Sequence, residues 1–279
     1  MDPIYTQTAF DIGRIITRNY STSFYSATNL LDKSIREDIC GIYGFVRLAD
    51  EIVDSFTAYD QKALFNRFEA DYAACRHCGF SINPILYAFQ CVVTKYNIPD
   101  TIIDSFIKSM RADLTKKVYK SYDEAQQYIY GSAEAVGLMC LKVFVKGDDE
   151  EYNRLAPAAR KLGSAFQKVN FLRDMRHDME VLDRCYFPGV TRNNFNELQK
   201  QRIIQDIEKD FEEAYSGIKA LPSTAQLGVY TAYVYYSKLL QKIKKTPAPK
   251  LISRRIRISD PVKAGLLMQT FLITKAGLI

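Results

Sequence analysis

The sequence predicts an all-α fold, a bundle of about nine or ten helices. Apolar residues recur at intervals of three and four along most of the 279 residues, and few runs alternate with the period of two that strands show. The apolar content of 47% is enough to bury a sizeable core. The 19 Tyr and 16 Phe suit either ordinary core packing, which composition alone favours, or the lining of a large apolar cavity. No segment is long and polar enough to be a linker, so one domain over residues 1–279 is expected.

The first five predicted helices follow from this period and from capping signals. They span residues 35–54, 60–76, 84 onward, 98–114 and 121–146. Pro84 opens its helix in the first turn, a position that proline tolerates. Ser121 followed by Glu124 has the spacing of a capping box, which predicts the start of the fifth helix.

The second half of the chain predicts four further helices. A turn at Gly147 precedes a long helix over residues 150–180, in which Pro157 would introduce a kink. Helices over residues 195–216 and 223–245 follow, with residues 246–249 as a loop. The last helix is expected to begin at Asp260.

The net charge of +6 is mild, and one dense basic cluster stands out near the C-terminal end. Its members are Lys242, Lys244, Lys245, Lys250, Arg254, Arg255 and Arg257. Such a cluster suits a diphosphate or an anionic lipid surface. We expect no nucleic-acid partner, since no zinc-finger spacing or RNP-like aromatic run accompanies it. Cys75 and Cys78 form the single C-x-x-C pair, and a structural zinc site would need two more ligands.

No targeting segment is evident in the sequence. Residues 1–10 lack a basic stretch followed by an apolar one, and no run of about 18 apolar residues occurs. The expectation is therefore a cytoplasmic protein, with peripheral contact at the inner membrane face as an option through the basic cluster. The oligomeric state is left open.

Two predicted helices carry paired aspartates that break the amphipathic pattern. Asp50 and Asp54 lie four residues apart, as do Asp174 and Asp178, so each pair occupies one helix face. Asn170 and Gln167 extend the second stripe by further turns, and Tyr43 and Arg47 extend the first. Like charges at this spacing destabilise an isolated helix, so a functional role for both pairs is favoured over two solvated faces.

Hard divalent cations suit this arrangement. Magnesium takes oxygen ligands and usually keeps waters and substrate phosphates in its coordination shell. If the two helices face each other, their carboxylates can hold metal ions that a diphosphate bridges. Arg47 and Arg173 flank the two pairs and can donate to the diphosphate oxygens.

The paired motifs resemble those of a known enzyme family. Residues 50–54, DEIVD, and residues 167–178, QKVNFLRDMRHD, resemble the two aspartate-rich motifs of the squalene/phytoene synthase family, which has the class I isoprenoid synthase fold. Residues 21–24, 128–131 and 186–188 resemble the family's serine-phenylalanine, cavity-lining and tyrosine-bearing segments. The resemblance runs from about residue 20 to residue 257, and it is strongest for bacterial phytoene synthases because of the arginine-rich residues 254–257.

The resemblance implies a single-domain helical bundle around a central cavity, with a role for each matching position. The expected metal ligands are Asp50, Asp54, Asn170, Asp174 and Asp178, for two or three Mg²⁺ ions, with Mn²⁺ as an alternative. The expected catalytic residues are these four aspartates with Tyr128 and Arg173. The expected substrate-binding residues are Ser23, Phe24, Arg47, Val136, Gly137, Gln167, Asn170, Tyr186 and Tyr236.

Two positions depart from the family pattern. Tyr20 stands where some members have histidine, so no diphosphate role is assigned to it. The segment from Asp178 to Tyr186 is one residue longer than usual, which affects the placement of Arg184 and Tyr186 unless a loop absorbs the extra residue.

The resemblance implies a prenyltransferase that joins two prenyl diphosphates head to head through a cyclopropylcarbinyl diphosphate. Two geranylgeranyl diphosphates giving phytoene, for carotenoid biosynthesis, is the favoured reaction, and it needs no NADPH. Squalene or dehydrosqualene formation from farnesyl diphosphate is the alternative. From another class, a catalytically silent assembly factor is disfavoured because all four aspartates are present. A class I terpene cyclase would share the metal site, but it uses one substrate and has a different set of motifs.

Overall fold

The computed structural model describes residues 2–277 and folds them almost entirely into helices. These are α1 (Pro3–Tyr20), α2 (Thr22–Thr28), α3 (Lys33–Asp54), α4 (Gln61–Cys78), α5 (Pro84–Tyr96), α6 (Asp100–Asp113), α7 (Tyr122–Ile129), a π-helical segment (Tyr130–Glu134), α8 (Ala135–Phe144), α9 (Asp149–Glu180), α10 (Glu197–Lys219), α11 (Ser223–Lys245), α12 (Ala248–Leu251) and α13 (Asp260–Lys275). Within the described range, one isolated parallel bridge between Val118 and Cys185 is the sole β-type pairing. The predicted all-α fold is confirmed.

The structure corrects the predicted elements at three places. Helices α1 and α2 were not predicted. The single helix predicted over residues 121–146 is divided by the π-helical segment Tyr130–Glu134. Part of the predicted loop at residues 246–249 belongs to α12, which begins at Ala248. Helix α11 has the predicted bounds, Ser223–Lys245.

Side-chain caps fix where several helices begin. Asp32, Asp60 and Asn83 each accept a hydrogen bond from a backbone N–H in the first turn that follows. The Ser121 hydroxyl accepts from the Glu124 N–H at 3.2 Å, as predicted. The Glu124 carboxylate accepts from the Lys120 N–H at 2.9 Å, so the reciprocal half of the capping box is shifted by one residue.

Helices α3 and α9 are the two elements on which the rest of the bundle is arranged. Helix α3 packs against α1, α4, α5, α6 and α8, and its Phe45 ring stacks on Phe89 of α5 at 3.9 Å between centroids. Helix α9 packs against α8, α10, α11 and the π-helical segment. Both aspartate pairs therefore lie on helices that are fixed by neighbours on several sides.

A buried ion network joins α9 to α10. The Lys168 ammonium donates to the Asp210 carboxylate at 2.7 Å, and the Ser164 hydroxyl donates to the same carboxylate at 2.7 Å. Lys168 and Asp210 are both buried. Because a buried charge without its partner is strongly destabilising, this network holds α9 firmly on α10.

The π-helical segment brings α6 and α9 close to the cavity wall. Gly131 lies so near α6 that an added Cβ would be 2.0 Å from the Ser109 Oγ and 2.4 Å from the Ser105 carbonyl oxygen. Only glycine fits this position without movement of α6.

No helix among residues 2–277 combines the length and the apolar character needed to cross a membrane.

Candidate functional site

Helices α3 and α9 present both aspartate pairs to one cleft. The cleft has a volume of about 650 Å³ and is lined by Asp50 and Asp54 from α3 and by Asp174 and Asp178 from α9. The predicted stripes therefore face each other. Arg47, Tyr128, Gln167, Asn170, Arg173 and Tyr186 line the same cleft.

Arginines pair with three of the four carboxylates. Arg47 contacts Asp50 at 2.7 Å and also pairs with Glu51. Asp174 lies between Arg173 and Arg255, with 2.6 Å between the Arg255 Nε and the Asp174 Oδ1. Arg255 and Arg257 from the C-terminal basic cluster both line the cleft. Anionic groups on a ligand would thus meet a wall of guanidinium groups.

Arg47 also contacts the residue that departs from the family pattern. Its guanidinium lies over the Tyr20 ring, 4.6 Å from the ring centroid. An arginine stacked on an aromatic face is held in orientation as well as attracted. In this chain Tyr20 therefore supports Arg47 at the rim of the cleft.

Two carboxyl groups in the cleft have raised pKa values. Burial, reinforced by the neighbouring Asp54, raises the pKa of Asp50 to about 6. Burial, with Asp174 and Asp54 adding to it, raises the pKa of Asp178 to about 8. Within residues 2–277, the Asp178 carboxylate has neither an ion-pair partner nor a hydrogen-bond partner. A cation in the cleft would relieve this repulsion.

The donor set fits magnesium in a particular way. No group of three or more His, Cys, Asp or Glu side chains in the described part of the chain converges as a ready-made metal cage. Mg²⁺ is commonly bound by one or two carboxylates, with substrate phosphates and waters completing its octahedron. Two carboxylate pairs across a cleft match that mode, and the Asn170 Oδ1, which accepts from the Tyr236 hydroxyl at 3.2 Å, adds a neutral oxygen.

Arg184 is a site residue that the sequence did not assign. Its side chain is 3% exposed, pairs with Asp54, and donates to the backbone oxygens of Asp113 at 2.9 Å and Val53 at 3.3 Å. It thereby joins the ends of α3 and α6. Its position comes from a loop, where Asp183 adopts a left-handed φ of 52° and the Cys185 N–H donates to the Lys117 oxygen. That this loop absorbs an extra residue before Tyr186 stays a prediction.

An aromatic stack borders the carboxylates. The Tyr186 ring stacks on Phe171 at 4.0 Å and on Tyr128 at 5.1 Å between centroids. The Tyr128 hydroxyl donates to the Asp113 Oδ2 at 2.8 Å, deep in the protein. Burial raises the pKa of Asp113 to about 7, an effect that Arg184 and the Tyr128 hydrogen bond partly offset. Sequence analysis did not single out Asp113.

A second cavity of about 310 Å³ extends from the cleft into the bundle. Gln167 and Asn170 line both spaces, which shows that they adjoin. The walls are largely apolar and include four residues predicted to bind substrate, Phe24, Val136, Gly137 and Tyr236. Ser23 is half-buried on α2 beside Phe24 and is not among the residues lining either space, so its contact with substrate stays a prediction.

Comparisons with known proteins agree with this architecture. The family model for squalene/phytoene synthase matches residues 17–261. The 15-cis-phytoene synthase of Paracoccus sp. is 27% identical over 266 residues, which cover 88% of this chain and 86% of that protein. The 15-cis-phytoene synthase of Enterobacter agglomerans is 26% identical over 271 residues, which cover 89% and 90% of the two chains.

Solved structures share the same fold. A dehydrosqualene synthase in complex with ligand has a TM-score of 0.85 at 22% identity, covering 97% of this chain and 98% of that one. A squalene synthase from Alicyclobacillus acidocaldarius has a TM-score of 0.75 at 20% identity, covering 87% and 95%. Because the family model spans most of the chain, the protein belongs to the squalene/phytoene synthase family and is an enzyme of the prenyltransferase type.

Proposed function

We propose that the enzyme condenses two molecules of geranylgeranyl diphosphate head to head to phytoene, with Mg²⁺ as the cofactor and without NADPH. The observation that carries this proposal is the junction of the two spaces. A cleft with facing carboxylate pairs and several arginines adjoins a deep apolar cavity at Gln167 and Asn170. One end suits a diphosphate with its cations, and the other suits a prenyl chain.

Each part of the site has a task in this reaction. Magnesium, when bound between the aspartate pairs, supplies Lewis-acid stabilisation of the departing diphosphate. Arg47 and Arg173 donate to the diphosphate oxygens and orient the leaving group toward the cleft. The apolar walls exclude water from the cationic chain, and the faces of Tyr128 and Tyr186 attract positive charge.

The proposed chemistry proceeds in two stages. The first substrate loses its diphosphate and becomes an allylic cation, which the double bond of the second substrate attacks. Loss of a proton closes a cyclopropylcarbinyl diphosphate. Departure of the second diphosphate then permits rearrangement, and loss of a second proton gives the conjugated triene. Two diphosphates and two protons leave in total, so no reductant is consumed.

The length of the apolar cavity supports a twenty-carbon substrate. Its lining residues on α9 run from Asn170 to Leu155, which at a rise of about 1.5 Å per residue spans about 22 Å. An extended chain advances about 1.2 Å per backbone bond, so a geranylgeranyl chain is about 18 Å long and a farnesyl chain about 13 Å. The longer chain occupies more of the cavity, although the shorter one also enters.

Product analysis tests the proposal. Purified enzyme with Mg²⁺ is incubated with geranylgeranyl or farnesyl diphosphate, each with and without NADPH, and the hydrocarbons are separated by chromatography with ultraviolet detection. We expect a forty-carbon triene from geranylgeranyl diphosphate, at a rate that NADPH leaves unchanged. Preferential use of farnesyl diphosphate would replace phytoene by dehydrosqualene, or by squalene if NADPH is required. No product from either substrate would favour a non-catalytic role.

A further inference from the structure

Helix α13 carries an apolar surface that the rest of the described chain leaves uncovered. Thr270 is its one buried residue, and the Thr270 Oγ1 lies 2.9 Å from the Thr231 Oγ1 of α11. On other sides of the helix, Met268 is 63% exposed, Leu272 60% and Phe271 41%. Met268 and Leu272 lie four residues apart, so their side chains share one face. An exposed apolar helix face of this kind marks an interaction surface.

The segment that contains α13 carries more net positive charge than the chain as a whole. Residues 238–275 contain ten Lys and Arg and a single acidic residue, Asp260, so this segment carries +9. Since the chain as a whole carries +6, the remainder is −3. Between Lys263 and Lys275 the helix has no charged residue.

Several of these cations remain available at the surface. Arg255 pairs with Asp174, Lys244 with Glu208 and Lys263 with Asp260. Lys238, Lys245, Lys250, Arg254 and Lys275 are exposed and have no carboxylate partner among residues 2–277. Lys275 lies over the ring of Phe271, at 5.8 Å, so a cation adjoins the apolar face itself.

Contacts with α11 set the orientation of α13 on the protein. Thr270 contacts Thr231, and the Lys242 ammonium donates to the Arg257 oxygen just before α13 begins, so α11 and α13 run antiparallel. Lys238 lies two turns from Thr231 on the same side of α11 and therefore borders α13. Helix α11 covers one side of α13, so α13 lies along the protein surface with its other side exposed to solvent.

We propose that α13 docks the enzyme on an anionic lipid bilayer, with Met268, Phe271 and Leu272 in the headgroup region and the flanking lysines and arginines on lipid phosphates. Interfacial helices bind by this combination of apolar burial and attraction to anionic lipids. A second copy of the chain fits less well, because an interface formed by two such faces would bring two +9 segments together.

This docking places the apolar cavity close to the bilayer. Gly228, Val229 and Ala232 line the cavity from another side of α11, so α11 alone separates the cavity from α13. The inference adds a lipid partner to the proposed function but does not depend on the product, since it stands on the exposure and charge of residues 238–275.

The composition of the chain allows a direct test. The protein contains no Trp, so Leu272→Trp introduces a single indole fluorophore. Ile82→Trp is the matched control, because Ile82 is 90% exposed and lies between α4 and α5, remote in sequence from α13. With phosphatidylcholine vesicles containing phosphatidylglycerol, we expect a blue shift of emission for Leu272→Trp and none for Ile82→Trp. A shift in neither variant, or equal shifts in both, would overturn the proposal.

Vesicle flotation without substrate gives the second measurement. The double variant Met268→Glu/Leu272→Glu should bind anionic vesicles about tenfold or more weakly than wild type. It lacks the two apolar side chains that would be buried in the bilayer in the docked state. The control Ile82→Glu/Leu198→Glu changes charge and exposed apolar area similarly and should bind as wild type does. Equal binding by all three proteins, or a wild-type dimer that the first variant dissociates, would contradict lipid docking. Turnover in vesicle-free buffer should be unchanged, which separates this test from that of the proposed function.

Discussion

Arg184 is the residue whose buried charge connects the metal-facing end of α3 to the rest of the site. Replacing it by glutamine leaves the Asp54 carboxylate and two backbone oxygens short of donors. We expect Arg184→Gln to lower the free energy of unfolding by about 3 kcal/mol, measured by urea denaturation in metal-free buffer, and to reduce turnover strongly.

Arg192 provides the matched control on the same connecting segment. It is 58% exposed in its pair with Glu180, so Arg192→Gln should change stability by about 0.5 kcal/mol or less. Equal stability of the two variants would show that Arg184 does not hold Asp54.

Asp113 gives the fold a pH dependence of defined sign. Burial raises the pKa of its carboxyl from an ordinary 3.8 to about 7, so between these values the folded protein binds a proton that the unfolded chain has released. The contribution of Asp113 to the free energy of unfolding therefore falls as pH rises, by at most about 1.4 kcal/mol per pH unit, and levels off above pH 7.

Asp113→Asn removes this titration and retains an oxygen that accepts from Tyr128. Relative to wild type, the free energy of unfolding of the variant should increase as pH rises from 5 to 8. Denaturant titrations at each pH measure this difference. Asp71→Asn, at a carboxylate that is 48% exposed, is the control for the loss of one carboxylate charge. A constant difference between Asp113→Asn and wild type would be the opposite result.

At the scale of residues, the sequence predicts site residues that share one helix face. It does not predict site residues that come together from different elements. The aspartate stripes follow from the helical repeat alone, and the structure places Asp50, Asp54, Asp174 and Asp178 in one cleft. Arg184 is delivered by a loop and Asp113 by the end of α6. No periodicity relates them to the aspartates, so only the folded chain reveals the contact.

At the scale of elements, α1 shows why a helix can escape a pattern search. Its buried positions are Ala9, Gly13 and Thr17, which are small or polar rather than large and apolar. They recur every four residues and let α1 pack closely on α3, where a Cβ on Gly13 would be 3.0 Å from the Cys40 oxygen. A search for large apolar residues does not register such a face.

The π-helical segment, also missed from the sequence, is tested at Gly131. Because a Cβ there would meet α6 at 2.0 Å and 2.4 Å, Gly131→Ala should destabilise the protein by about 1–3 kcal/mol in urea unfolding. Gly265→Ala in α13 is the control, since nothing lies within 4 Å of its added Cβ and alanine favours a helix. A Gly131→Ala protein as stable as the control would show that the segment tolerates the added methyl group.

At the scale of the whole molecule, the fold separates three surfaces by chemistry. The carboxylates of α3 and α9 face the polar cleft, and the apolar walls lie behind it. Residues 238–275 carry a net charge of +9. The helical bundle and the aspartate motifs were predictable because each is local in sequence. The joining of cleft and cavity depends on how helices distant in sequence pack together, which no local pattern encodes.

We propose that the two aspartate pairs act together as one diphosphate and metal site. Its most direct test compares Asp50→Asn, Asp174→Asn and the double variant, by single-turnover consumption of geranylgeranyl diphosphate at saturating Mg²⁺. A cooperative thermal unfolding transition, measured in buffer with EDTA, shows that each variant is folded. If the pairs act as a unit, each single variant loses on the order of a thousandfold in rate, and the double variant loses little more than either. Rates within tenfold of wild type in either single variant, with the fold intact, would contradict the account.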